Sequence, residues 1–377
     1  MRAVAPAVSE RLSIAFTLAH RELSSGLEID VPWRRRIWLY RHGFTSRDGE
    51  AYRVDGGNYR DLVSTYQHER ADSINEPWDA TVNNKLVFRL LFGSFPEHLP
   101  TLYGLVDGGT LTRNSPLMTV PAWQADARDG DETGREEVAR FEVTSWVDAH
   151  LDEAEALVLK PVSGYGGSGV LVCRKPEDGD GYEVNGEART TEEFFERLRG
   201  LEDYLAWDLV RQARYVDRIY PDSGNAIRVL TMWDYERDEP FVAGAAQRIG
   251  SDESAPIDSA SSGGLTAEVS ETGELGRAAR WFHAEGEVRW YEAHPDTGVR
   301  IEGTRVPGWP AVRERILEMA AAFPHLPRLG WDVIVTGEGE FTVLETNAHA
   351  GNLSVQIHRP LLRDPRVRRF YEHHGCL

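Results

Sequence analysis

The sequence predicts an α+β protein, and three observations carry that reading. Residues 331–352, WDVIVTGEGEFTVLETNAHAGN, set two short β-branched runs around a Gly337-Glu338-Gly339 turn, the pattern of an antiparallel hairpin. Residues 157–170, LVLKPVSGYGGSGV, read as an apolar strand, a glycine-rich loop and the restart of a second strand. Apart from these strands, residues 191–200 and 309–323 place apolar side chains at helical spacing.

The 377 residues suffice for two or three domains with a sizeable core. Hydrophobic residues at 41% and aromatics at 10% mark a globular chain rather than a disordered one. A net charge of -19 argues against nonspecific binding to nucleic acid or to an anionic membrane. No apolar run approaches the ~20 residues that span a bilayer. Glu10, Arg11, His20 and Arg21 interrupt any secretory-signal pattern, so the expected location is the cytoplasm. With only Cys173 and Cys376, far apart, neither a disulfide nor a zinc framework is indicated. Of 42 basic residues only three are lysine, namely Lys85, Lys160 and Lys175. A chain that uses arginine almost everywhere draws attention to each place where it keeps a compact ammonium.

In chain order, a helix is expected from Ser9 to Leu27, followed by a basic and aromatic stretch from Trp33 to Tyr40. That stretch suits either an anionic or sugar ligand or plain packing with solvated arginine heads. Leu86, Val87, Leu90 and Leu91 have helical spacing, with Lys85 near the helix start. Residues 101–120 read as strand and turn, and 124–137 as an acidic loop or exposed helix start at a boundary. Between 157 and 170 the strand lysine Lys160 precedes Gly164, Gly166, Gly167 and Gly169. Such a loop lets backbone amides approach phosphate oxygens, or is simply a flexible turn. No GK[ST] follows, so it is not a Walker A loop. Residues 204–212 and 225–233 are strands, the second carrying Arg228, which needs a carboxylate or an anion as partner if buried. Phe241 to Gly250 is a strand with Gln247 and Arg248, and 258–264 (DSASSGG) is a small-residue loop. Residues 271–308 look like a polar, hairpin-rich excursion, and a basic helix from Pro360 to His373 closes the chain.

The hairpin carries the sharpest chemistry. With 337–340 as its loop, Thr336 faces Phe341, and counting outward brings Asp332 opposite Glu345. Directly opposed like charges repel. Alternation adds Asn347 to the Glu345 face, which is expected to be that of Phe341 and Val343. Two carboxylates and an amide oxygen are hard ligands of the kind Mg2+ takes, although an exposed hairpin with ordinary surface acids has the same spacing.

A strand lysine, a glycine-rich hairpin loop, a hinge strand, an arginine strand and a closing D-x12-E-x-N hairpin, in this order, resemble the ATP-grasp superfamily over residues 80–360. The runs RIYPDSGNAIRVLTMW, SSGGL, ETGELG, HPDTG and HRPLLRDPRVRRFYE resemble its sugar-transfer-associated group. The resemblance implies two α+β subdomains that hold ATP between them. It implies phosphate contacts from Lys160 and Lys85, and a lid at Gly164, Gly166, Gly167 and Gly169. It also implies an adenine hinge at Asp208, Leu209 and Val210, with Asp where the superfamily commonly has Glu. Asp332, Glu345 and Asn347 match the metal triad, for two Mg2+ ions or for Mn2+. Lys160, Arg228 and Arg248 are the implied catalytic cations, and Asn225 or Asp217 the ribose contact. Gly330 stands where many ligases of the superfamily carry an arginine.

The implied activity is an ADP-forming carboxylate-amine or carboxylate-thiol ligase acting through an acyl phosphate. Small-molecule substrates are expected, including sugar-linked ones, as in glycan biosynthesis, with no nucleic-acid partner and the oligomeric state left open. An ATP-grasp kinase acting on a hydroxyl and a non-catalytic nucleotide-binding scaffold are the alternatives. The expected organisation is an N-terminal region at 1–78, a pre-grasp region at 79–140, a lid subdomain at 141–206 and a C-terminal subdomain with the metal site at 207–377.

Overall fold

The computed structural model describes residues 8–24, 27, 29–114, 117–125, 138–164, 167–176, 180–282 and 286–377. The chain divides into two compact units, one of residues 83–211 and one combining 1–82 with 212–377. Each is built on an antiparallel sheet with helices against it, so the fold is α+β as expected.

Among its described residues, the unit of residues 83–211 contains eight strands: β1 Leu102–Asp107, β2 Thr110–Asn114, β3 Val138–Glu142, β4 Leu157–Pro161, β5 Leu171–Arg174, β6 Tyr182–Val184, β7 Glu187–Arg189 and β8 Tyr204–Asp208. They lie in the order β3-β2-β1-β8-β4-β5-β6-β7. Strand alternation sorts their side chains onto two faces. Leu157, Leu159, Leu171 and Cys173 meet Trp146 and Val147 of helix Val143–Glu153 and Phe194 and Leu198 of helix Thr191–Arg199. That second helix opens with a capping box at Thr190 and Glu193. On the opposite face Val158, Leu205 and Trp207 pack with Leu86 of helix Lys85–Leu91.

The other unit contributes β9 Ile227–Asp234, β10 Glu239–Ile249, β11 Leu265–Val269, β12 Leu275–Phe282, β13 Glu287–Tyr291, β14 Arg328–Val335 and β15 Phe341–Asn347, in the order β13-β12-β11-β10-β9-β14-β15. Three of these strands correct the sequence reading. Leu265–Val269 follows the small-residue loop without a period-2 pattern because it is buried at four of five positions. Likewise β12 and β13 belong to the sheet rather than to a polar excursion, with Ala278, Ala279 and Trp281 buried among charged neighbours. The closing basic segment is a short 3-10 turn, Leu361–Arg363, followed by helix Pro365–His373. Val355, Leu361, Val367 and Phe370 from this C-terminal region cover Leu230, Met232 and Ala246 on one face of the sheet.

Gly308 fixes the start of helix Trp309–Ala321. Its φ is +60°, and a Cβ there would stand 2.0 Å from the Gly339 nitrogen at the tip of the β14–β15 hairpin. Gly308→Ala should therefore lower stability by about 1–3 kcal/mol, measurable in denaturant, because the clash is with backbone that cannot rotate away.

Four histidines, His150 buried and His68, His358 and His374 half-buried, set an acid limit. Burial lowers His150, His358 and His374 to about 4, and burial with the nearby Arg328 charge lowers His68 to about 3. Below their ordinary value near 6.5 the unfolded chain binds these protons and the folded chain does not, so stability falls as pH drops from about 6.5 toward 4. Thermal melts across that window should show the decline, and His358→Gln should flatten it.

Candidate active site

Four charged side chains from neighbouring strands and one loop form a single buried chain on the seven-stranded sheet. Asp332 on β14 stands between Arg228 on β9 and Glu345 on β15 in the strand register. Arg228 donates to both Asp332 oxygens, from Nε to Oδ1 at 2.6 Å and from Nη2 to Oδ2 at 3.1 Å. Arg248 on β10 reaches Asp332 Oδ2 through Nη1 at 3.4 Å. The rest of the Arg248 fork is held by Asp258, with Nη2 to Oδ1 at 2.8 Å and Nε to Oδ2 at 3.1 Å. Asp258 also accepts the Ala226 amide at 2.7 Å. Asp332 and Asp258 are each 3% exposed.

The electrostatics follow from that arrangement. Burial acts to raise the Asp332 carboxyl, but Arg228 and Arg248 together hold it below the usual carboxylate range. Burial acts to lower Arg248, and Asp258 and Asp332 raise it above its ordinary value instead. The like-charge opposition of Asp332 and Glu345 is thus relieved by two guanidinium groups. Arg228 has a structural carboxylate as partner, which answers the question its burial raised.

The hairpin register differs from the simple count in an instructive way. Phe341 pairs with Val335, not Thr336, because the loop closes on Thr336 with its amide donating to the Glu340 carbonyl at 2.9 Å. The register then shifts between Val343 and Glu345, leaving Leu344 as a bulge, and Asp332 meets Glu345 after all. The bulge reverses the faces. Phe341 and Val343 lie with Val333 and Val335, whereas Glu345 and Asn347 share the opposite face with Asp332 and Gly330.

Gly330, where the family resemblance leads to the expectation of an arginine, has no room for a side chain. A Cβ on Gly330 would stand 2.4 Å from Ala350 Cβ and 3.3 Å from Arg228 Nη1. The guanidinium of Arg228 occupies that ground from the adjacent strand.

In the unit of residues 83–211, Lys85 and the glycine loop come together. Asn84 caps the helix by accepting the Leu86 and Val87 amides, each at 3.0 Å. The Lys85 amide then donates to the Val162 carbonyl at 2.9 Å, and its ammonium to the Gly164 carbonyl at 3.2 Å. Lys160 on β4 is opposite Leu205 and so lies on the Val158 face, the one that carries Leu86. Gly167 and Gly169 have φ of 76° and 79°. Gly166 lies outside the described residues. Asp208 ends β8 half-buried, its own carboxylate accepting the Leu209 amide at 2.9 Å, and Val210 follows half-buried. Burial raises the Asp208 carboxyl.

Asn225 proves structural. It is 1% exposed, its Nδ2 donates to the Tyr220 carbonyl at 2.6 Å and to Gln212 Oε1 at 3.0 Å, and its Oδ1 accepts the Gly250 amide at 2.8 Å. Lys175, just after β5, is paired with Asp148 and Asp152 of helix Val143–Glu153.

Sequence reasoning missed Asp258 and Arg328. Asp258 heads the DSASSGG segment, where the small residues drew attention away from the carboxylate. Arg328 is 0% exposed and donates to the Ala350 carbonyl at 2.6 Å and to Asn352 at 3.2 Å, fixing the loop beyond Asn347. Asn75 holds the same loop at the Ala348 carbonyl, at 3.1 Å. Arg328 lies just before the hairpin pattern, so no periodicity pointed to it.

No curated protein matches this sequence. Among solved structures, the ADP complex of purK, N5-carboxyaminoimidazole ribonucleotide synthetase, matches with 13% identity over 90% of this chain and 58% of that one, TM-score 0.34. The D-alanine-D-alanine ligase of Coxiella burnetii matches with 14% identity over 87% and 67%, TM-score 0.35. The VanG D-Ala:D-Ser ligase of Enterococcus faecalis matches with 11% identity over 78% and 62%, TM-score 0.36. The chain spans between 58% and 67% of the length of these three. A family model described as sugar-transfer associated ATP-grasp matches residues 72–366, most of the chain. The protein with this Arg228–Asp332–Glu345 row therefore belongs to the sugar-transfer associated ATP-grasp family.

Proposed function

We propose that the protein is an ATP- and Mg2+-dependent, ADP-forming ligase that joins a carboxylate to an amine, or to a thiol, in small molecules that include sugar-linked ones. The observation that carries this reading is the Arg228–Asp332–Glu345 row with Arg248 and Asn347 on the same face. Phosphoryl transfer needs charge balance and positioning more than covalent help from the protein.

The residues fit a hard divalent cation. Asp332, Glu345 and Asn347 offer two carboxylates and an amide oxygen on one face of the sheet. Three carboxylates (Asp258, Asp332, Glu345) against two guanidinium groups (Arg228, Arg248) leave one negative charge in excess. Glu345 and Asn347 would hold Mg2+ with Asp332, whose oxygens the arginines leave partly available. When bound, the ion supplies charge neutralisation at the triphosphate.

In the reaction, an oxygen of the substrate carboxylate attacks the γ-phosphorus and the bond to ADP breaks. The amine nitrogen then attacks the acyl carbon, phosphate leaves and the nitrogen loses a proton. Arg228 and Arg248 would stabilise the charge that spreads over the transferring group. Asp258 keeps the Arg248 fork in one orientation. Lys160, Lys85 and the amides of Gly164, Gly166, Gly167 and Gly169 would contact phosphate oxygens, and the backbone of Asp208 to Val210 the adenine edge.

The discriminating assay measures ATP turnover with Mg2+ against carboxylates, amines, sugar acids and amino sugars, reading ADP, AMP and phosphate separately. ADP and phosphate formed only with a carboxylate and an amine or thiol together are the expected result. ADP without phosphate in the presence of a hydroxyl acceptor would make it a kinase, and binding without turnover a scaffold. Chelation should abolish turnover, with recovery on adding Mg2+ or Mn2+.

Two substitutions separate chemistry from folding. Glu345→Gln should cut turnover by roughly 100-fold or more and leave the melting temperature unchanged, since Glu345 is half-buried. Asp332→Asn should cost turnover and also about 2–3 kcal/mol of stability, because it strips half-buried Arg228 of its carboxylate, while Arg248 keeps Asp258.

A further inference from the structure

Strand β15 leaves its ladder at Asn347, whose partner Gly330 makes the last pair with β14. β14 begins two residues earlier, so Arg328 projects from an end of the strand that β15 does not cover, on the face of Gly330 and Asp332. The loop after Asn347 folds back over that end. Ala350 lies above Gly330, so close that a Cβ on Gly330 would stand 2.4 Å from its own, and Ala348 and Ala350 are buried. Side chains grip this loop from two directions. Arg328 Nη2 donates to the Ala350 carbonyl at 2.6 Å and to Asn352 Oδ1 at 3.2 Å. Asn75, 1% exposed, donates through Nδ2 to the Ala348 carbonyl at 3.1 Å and to the Arg328 carbonyl at 2.6 Å.

The same short segment supplies three further contacts. Asp79 Oδ2 is 3.4 Å from His349 Nε2, His68 Nδ1 is 3.4 Å from Arg328 Nη2, and Asp72 Oδ1 is 4.0 Å from Arg328 Nη1. Residues 68–79, to which no motif in the sequence gives a role, thus meet the loop or its arginine through His68, Asp72, Asn75 and Asp79. A buried guanidinium is a costly way to hold a loop. Its ion pair with Asp72 spans 4.0 Å, against 2.6 Å between Arg228 and Asp332, so its charge is the less closely compensated of the two. An apolar side chain of similar volume would fill the space without that cost. It could not hold two acceptors of the loop in place, which the planar guanidinium does. What the loop adjoins is Asn347, on the face of Glu345 and Asp332. Contacts behind a metal ligand orient it, and losing one typically weakens metal binding by roughly 10–100-fold.

We propose that Arg328 and Asn75 are positioning residues of the cation site. By holding residues 348–352 they set the orientation of Asn347 beside Glu345 and Asp332, and the segment 68–79 thereby governs cation affinity from outside the hairpin. This rests on the reading of Asp332, Glu345 and Asn347 as cation ligands, and it is independent of which carboxylate and amine the protein joins.

The test is Mn2+ binding to the full chain, with and without ADP, read from the electron paramagnetic resonance signal of free Mn2+ and set beside the melting temperature. The expected result is wild-type binding that Glu345→Gln weakens, and that Asn75→Ala and Arg328→Lys each weaken by roughly tenfold or more. Asp79→Ala leaves the buried contacts in place, so it should fold normally and weaken binding to a smaller extent. Met319→Ala opens a cavity under helix Trp309–Ala321, where that side chain is 0% exposed, and serves as the control. It should lower the melting temperature comparably and leave Mn2+ affinity unchanged. Wild-type affinity in every folded variant of Asn75, Arg328 and Asp79 would overturn the proposal, and so would an equal loss in Met319→Ala. Wild-type protein without Glu345-dependent Mn2+ binding would instead remove the metal reading itself, and the proposal with it.

Discussion

The buried carboxylate of Asp332 is the point on which the proposed chemistry and one sheet both depend. It stands on the central part of the β9-β14-β15 ladder and cannot be ionised there without compensation, because burial removes the water that would solvate it. Arg228 and Arg248 supply that compensation, and Asp258 in turn compensates Arg248. The two buried carboxylates, Asp332 and Asp258, are each met by a half-buried guanidinium. A network of this kind is satisfied as a whole or not at all, which fixes the orientation of every guanidinium in it.

That interlocking gives Asp332 a character that Glu345 lacks. Glu345 is half-buried on β15, the edge strand of its sheet. Asp332 is fixed by two arginines and is a structural anchor as much as a candidate ligand. The loop beyond Asn347 is fixed by another buried cation, Arg328, with Asn75 beside it. Both ends of the metal-type hairpin are thus held by side chains from outside it, while Gly308 lets its tip pack against the start of a helix.

The glycine loop of the other unit is organised on a different principle. Positive backbone dihedrals at Gly167 and Gly169 shape it, and Lys85 steadies its beginning through the Gly164 carbonyl.

Much of this was legible in the sequence. Hydrophobic periodicity located the helices at 85–91, 191–199 and 309–321 and the strands around Lys160, Arg228, Asp332 and Glu345, because each sits in a run whose burial pattern its own residues encode. The pairing of Asp332 with Glu345 was also readable from the hairpin. The face on which they lie was not, since the Leu344 bulge depends on how the loop closes. Tertiary structure alone decided that Arg228 and Arg248 share Asp332, that Asp258 completes the set, that Asn225 is an internal brace and that Arg328 holds the loop after Asn347. The reason is physical: periodicity records what one segment buries, whereas the partner of a buried charge is chosen by strands that meet in space from 84 to 104 residues away along the chain.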